Sequence, residues 1–254
     1  MKVTPLLEYL SKELTKKLPG CYQVDLVILP TYEAGQRAII DGVVDVMRLG
    51  VASFVKVSGE NKKVHVIATE KRIDSERLHG AIIVNSDATG VEYIRDLEGK
   101  SFAFGNPEST TGNFLAKFHL TEHGITRADL GEIKSFGMHK EVFDAVALDD
   151  FDAGAMKYTA VTRYNSDGDV KVIYKFYSPS KVWVAAEHVP HSLIKTIRGI
   201  MLRINSPVAM DALKISAFET YRGKDYIEAR EAIRTEYMFD RSALAKAPLL
   251  SSGF

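Results

Sequence analysis

Segments with helical spacing and short apolar runs follow one another along almost the whole chain, and that alternation limits the folds open to it. Leu6, Leu7, Leu10, Leu14 and Leu18 recur at the interval that lines one face of a helix, and Pro19-Gly20 ends it. Val24–Leu29 reads as a strand, and Pro30-Thr31 leads into a helix from about Tyr32 to Asp41. Val43–Leu49, Val64–Thr69 and Ala81–Val84 read as strands, the last followed by the turn-rich stretch Asn85–Gly90. Ser101–Phe104 is a strand before a helix from about Thr110 to His123. Glu132–Phe136, Phe151–Met156, Val170–Tyr174 and Val182–Ala185 complete the strands, and from Ser192 onward the chain reads mainly as helix. Strands and helices in this order imply an α/β architecture with mostly parallel sheets.

Composition narrows the function classes. The chain has 254 residues, enough for one large domain or two modest ones. Its 33 Lys and Arg balance 33 Asp and Glu, without the basic surplus of a nucleic-acid binder. Cys21 is the one cysteine, which excludes an intrachain disulfide and a multi-cysteine metal site. The apolar runs fall far short of the roughly 20 residues of a membrane span. Met1-Lys2-Val3-Thr4-Pro5 does not read as a secretory signal, so the expectation is a cytoplasmic protein or a chain whose signal is missing.

A weak internal echo runs through the sequence. Val24–Asp45 and Gly131–Asp152 share the order strand, loop, helix, strand; one constant offset pairs Tyr32 with His139, Ala38 with Ala145 and Asp45 with Asp152. This is either a chance likeness of two βαβ units or a sign of two similar lobes. In the second case Tyr32 and His139 would face each other across a cleft beyond the carboxyl ends of the strands.

The most informative stretch is Gly99–Asn113. A strand ends near Gly105, and a helix begins among Ser109, Thr110 and Thr111. Free N–H groups and the positive end of the dipole make a helix start an anion site. Hydroxyls add donors there, and Gly112 permits close backbone approach. Plain capping explains one hydroxyl; three in a row lean toward a ligand. Gly99-Lys100-Ser101 is not a phosphate-binding P-loop, because Ile94 stands where its first glycine would be and the lysine precedes a strand.

Arg48, near the carboxyl end of an apolar run, is either an anion ligand or the partner of a carboxylate. Lys157 and Tyr158 raise the same question more faintly. Asp45 and Asp152 start strands and read as structural. His188 and His191 are separated by Pro190 with no carboxylate cluster nearby, so no metal site is expected. Neither Gly-x-Ser-x-Gly nor His-Glu-x-x-His occurs. The expectation is binding rather than turnover, with no cofactor.

Tyr32-Glu33-Ala34, Asp41–Val46 and Leu49-Gly50 resemble motifs of the first lobe of the phosphate/phosphite/phosphonate-type substrate-binding proteins of ABC transporters. Asp96–Phe104 through Ser109–Gly112 resembles that family's strand and Ser-Thr-Ser-Gly anion loop. His139, Ala145-Val146 and Phe151–Ala155 match the next block, and Tyr226–Arg230 is similar to a late helix. The resemblance implies a type II periplasmic-binding fold: two α/β lobes with crossovers near Ile83 and Lys181, closing on a ligand like a hinge. Lobe one would be residues 1–83 and 182–254, and lobe two 84–181. Tyr32, Ser109, Thr110, Thr111 and His139 would hold a phosphonate, phosphite or phosphate, and an ABC permease would be the partner outside the cytoplasm.

Three departures from the family pattern accompany it. The chain opens at the first helix, without the family's preceding strand. The loop Ser178–Lys181 lacks the acidic residue that in some relatives receives a ligand amine. The first residues do not read as a signal peptide. A missing strand would expose a sheet edge, which favours a homodimer. The alternatives are a sensor domain of the same fold and an enzyme acting on a cofactor precursor, with His139 as its base.

Overall fold

The computed structural model describes residues 2–73 and 79–245, with side chains as far as Asp240. The chain divides into two compact units, Met1–Ser75 with Pro179–Tyr226, and Glu76–Ser178 with Ile227–Phe254.

The first unit is built on a four-stranded sheet in the order β1-β8-β2-β9, with β1 Val46–Leu49, β2 His65–Arg72, β8 Val182–Ala185 and β9 Ile215–Glu219. Every pair in it is antiparallel. This corrects the mostly parallel sheet read from the sequence. The cause is β8, which enters from a distant part of the chain and lies between β1 and β2, antiparallel to both. Helix α1, Thr4–Lys17, buries Leu6, Leu10 and Leu14, and packs on α7, His191–Met201, and α8, Pro207–Leu213. Helix α2, Tyr32–Ile40, is capped by Thr31, whose hydroxyl accepts the Ala34 N–H at 3.1 Å. Helix α3, Val51–Glu60, follows Gly50 directly.

The expected strand Val24–Leu29 does not form. An apolar run becomes a strand only when another strand supplies hydrogen bonds, and no described strand pairs with this one. Val27 and Ile28 stay 60% and 64% exposed. Conversely, β9 lies in a region read as helix. Lys214 in the left-handed conformation (φ 57°) ends α8, and Ile215 and Phe218 then turn inward.

The second unit holds a five-stranded sheet in the order β5-β4-β6-β3-β7. Its strands are β3 His79–Asn85, β4 Phe102–Phe104, β5 Ile133–Ser135, β6 Ala153–Lys157 and β7 Val170–Tyr177. Strand β4 runs parallel to both β5 and β6, whereas β3 is antiparallel to β6 and β7, so the sheet is mixed. Helices α5, His139–Ala147, and α6, Tyr158–Tyr164, cover one face, where Ala81, Ile83, Ala103, Val142, Val146, Met156 and Val161 form one cluster. Helix α4, Leu115–Glu122, covers the other; His119 meets Phe176 with ring centroids 4.8 Å apart.

Helices α9, Ile227–Arg234, and α10, Glu236–Ala245, also belong to this unit, although the sequence reading placed them in lobe one. Their packing explains why. Phe239 meets Phe104 edge-on at 5.6 Å, and Glu236 takes both the Lys117 ammonium at 2.9 Å and the Asn113 amide at 3.0 Å.

Candidate functional site

The strand order of the second unit marks one edge of its sheet. From β4 the chain passes through α4 to β5 on one flank, then through α5 to β6 on the other. The helix after β4 therefore lies on one face, and the helices after β5 and β6 on the opposite face. In open α/β sheets such a reversal leaves a crevice outside the carboxyl ends of the strands, where ligands bind.

The turn after β4 fills that position. Ser109 is the N-cap, and its Oγ accepts the Gly112 N–H at 3.0 Å. Thr110–Phe114 forms a π-helical turn before α4, a geometry that recurs at functional sites. The turn is held from several sides. Glu108 N–H donates to the Asn106 side chain at 2.9 Å, Ser109 N–H to the Asn106 carbonyl at 2.7 Å, and the Asn113 amide to the Pro107 carbonyl at 2.8 Å.

Two of its hydroxyls have a proton left to donate. Ser109 is 8% exposed, and its hydroxyl donates to no described residue. Thr111 is 7% exposed, and its hydroxyl has no hydrogen-bond partner among the described residues. Thr111 Oγ1 reaches solvent, and the Ser109 hydroxyl keeps its O–H to donate, so water or a ligand can meet both. Thr110 lies beside them at the helix start, partly exposed. Gly112 has a role the sequence did not specify: its close approach is to the protein itself. A Cβ there would stand 2.9 Å from the Gly105 Cα.

His139 begins α5 after β5. The Met138 N–H donates to Glu141 Oε2 at 2.9 Å, which fixes this helix start. Its Nδ1 is shut off from solvent with no described partner. Burial, and then the Lys157 charge, lower its basicity, so the imidazole is neutral near pH 7.

The remaining candidates lie elsewhere. Tyr32 belongs to the first unit and stands at the start of α2, half exposed. Arg48, also in the first unit, takes up the structural role that the sequence left open. Its guanidinium binds Glu70 through two nitrogens, with Nη2 to Oε2 at 2.9 Å. Trp183 Nε1–H donates to the same carboxylate at 3.0 Å. Burial would raise the Glu70 carboxyl, but the Arg48 fork outweighs it and holds it below its ordinary value. Glu70 is thus the buried acid that the sequence reading missed; 22 residues separate it from Arg48 with no spacing signal.

Asp152 and Asp45 are structural, as read. Asp152 accepts the Ser101 N–H at 2.8 Å and its hydroxyl at 2.7 Å, and Asp45 meets His188 at 2.8 Å. No group of three or more metal-binding side chains occurs among the described residues.

Comparison with known proteins adds the family context. The family model described as ABC transporter, phosphonate, periplasmic substrate-binding protein matches residues 1–226. Among solved structures, a Xanthomonas citri protein bound to ATP is 16% identical, with 94% of each chain covered and a TM-score of 0.78. PhnD1 of Prochlorococcus marinus in complex with methylphosphonate is 20% identical, covering 92% of this chain and 93% of that one, with a TM-score of 0.74. The periplasmic aliphatic sulphonate binding protein SsuA of Escherichia coli is 15% identical, covering 96% and 85%, with a TM-score of 0.65. These likenesses establish a shared fold: two α/β units of the type II periplasmic-binding kind.

Proposed function

The chain belongs to the phosphonate-type periplasmic substrate-binding family of ABC transporters, and we propose that it captures a small phosphate-like oxyanion on the Ser109–Gly112 turn for delivery to an ABC permease. The observation that carries this reading is the pair of hydroxyls of Ser109 and Thr111, neither of which donates to a described residue, at the strand-order reversal of the second unit. Hydroxyl and N–H donors at a helix start bind an anion by charge-assisted hydrogen bonds. The place of His139 after β5, beside β4, supports the same reading, because a neutral imidazole can donate to an oxyanion or accept from its protonated oxygen. Methylphosphonate, phosphite and phosphate are the candidate ligands, with Ser109, Thr110, Thr111 and His139 as their contacts. Capture and release outside the cytoplasm need no covalent step, so the role is transport rather than catalysis.

Titration calorimetry with phosphate, phosphite, methylphosphonate and sulfate tests the reading. A saturable heat with one ligand per chain for a phosphorus oxyanion is the expected result. Silence from all four with a folded sample overturns it.

A further inference from the structure

Resting on the oxyanion reading above, we propose that Lys157 sets the charge of the ligand and makes the site selective for doubly over singly charged oxyanions. Lys157 is the last residue of β6, in register with Gly80 of β3. Strand β6 runs parallel to β4, with Ala103 opposite Gly154, so both strands deliver their carboxyl ends to one edge. The Ser109–Gly112 turn follows β4, and Lys157-Tyr158 follows β6. The helices that continue from these two neighbours lie on opposite faces, which opens the crevice between their loops. On the other flank of β4, β5 brings His139 to the same edge, since Phe104 pairs with Ser135. In the strand order the hydroxyl turn is therefore flanked by the chain that carries His139 on one side and by Lys157 at the end of β6 on the other.

The chemistry of these groups differs in one respect. Ser109 and Thr111 bring neutral hydroxyls, and His139 is uncharged near pH 7. Lys157 brings a full positive charge, half-buried and close enough to depress the basicity of His139. Its neighbour Tyr158 is held by Lys175, whose Nζ lies 3.9 Å from the ring centroid, so the start of α6 is fixed. Attraction to a fixed ammonium grows in proportion to the charge of the ligand, and more steeply where water is partly excluded. A phosphonate dianion gains from that charge about twice what a sulfonate monoanion of the same shape gains.

The test compares methylphosphonate with methanesulfonate by titration calorimetry at about pH 9, because an alkylphosphonate loses its second proton at higher pH than the phosphate ester, whose second pKa is about 6. Both ligands carry a tetrahedral head and one methyl group. Wild-type protein should prefer methylphosphonate by about tenfold or more. Lys157→Gln should remove most of that preference by weakening methylphosphonate, and Lys157→Arg should keep part of it. If Lys157→Gln leaves the preference unchanged while Thr111→Val loses affinity, the role of Lys157 is overturned and the oxyanion site stands. If folded wild-type protein binds neither ligand, and neither phosphate nor phosphite, the oxyanion reading fails and the charge selection with it.

Discussion

Gly105 and Gly112 lie back to back, the N–H of Gly105 donating to the carbonyl of Gly112 at 2.7 Å. A Cβ on Gly112 would stand 2.9 Å from the Gly105 Cα, and one on Gly105 would stand 3.0 Å from the Gly112 Cα. This contact lets the π-helical turn fold back against the end of β4, so that Ser109 and Thr111 are held at the strand edge.

Gly112→Ala should therefore cost about 1–3 kcal/mol, because backbone rather than a flexible side chain blocks the added methyl. Urea unfolding of the variant checks the figure. Unchanged stability would mean that the turn does not need the contact.

Arg48 is expected to matter for folding and not directly for the ligand. Arg48→Met leaves the Glu70 carboxylate buried without its fork, at a cost of about 3–5 kcal/mol. Arg48→Met combined with Glu70→Leu should recover most of that loss. Chemical denaturation of the single and double variants measures both effects. A single variant as stable as wild type would contradict the assignment.

Glu70 also adds a pH dependence. Its carboxyl is held below the ordinary value of 4.5 in the folded protein. Its contribution to stability is thus complete above that value and is lost as pH falls through the folded-state value. The dependence should be much weaker in the Arg48→Met, Glu70→Leu double variant.

A second pH effect comes from His119, which burial against aromatic rings, and then the His123 charge, hold down at about 4, against an ordinary value of 6.5. The unfolded chain takes up this proton first as the solution is acidified. Stability should therefore fall as pH drops from 6.5 to about 4. His119→Phe keeps an aromatic ring beside Tyr174 and Phe176 while removing the titration, so its unfolding midpoint should vary less over that range. An identical pH profile for variant and wild type would contradict this origin.

Local signals in the sequence were legible, and long-range ones were not. The leucine stripe of α1, the Thr31 cap of α2 and the apolar run of β8 are each written within a few residues, and each appears where it was read. The turn at Ser109–Gly112 was legible for the same reason, since its hydroxyls and glycine are consecutive. Val24–Leu29 was misread because hydrophobicity favours a strand but only a neighbour's backbone completes one. Strand β9 was missed because five residues between helical segments carry little periodicity of their own. The Arg48–Glu70 pair and the Gly105–Gly112 contact depend on which strands meet, and no spacing in the sequence records that. The placement of α9 and α10 on the second unit likewise follows from Phe104, Phe239 and Glu236 meeting in space.

The most direct measurement is a calorimetric titration of methylphosphonate into wild-type protein and Thr111→Val, each with its melting temperature. The substitution keeps the shape of the side chain and removes a hydroxyl that has no hydrogen-bond partner among the described residues. The ligand-free variant should melt close to the wild-type temperature, because no hydrogen bond among the described residues is lost. Its affinity should fall by about tenfold or more, the loss of one hydrogen bond to a charged ligand. Equal affinity in the two proteins, or a wild type that binds no phosphorus oxyanion, would contradict the account.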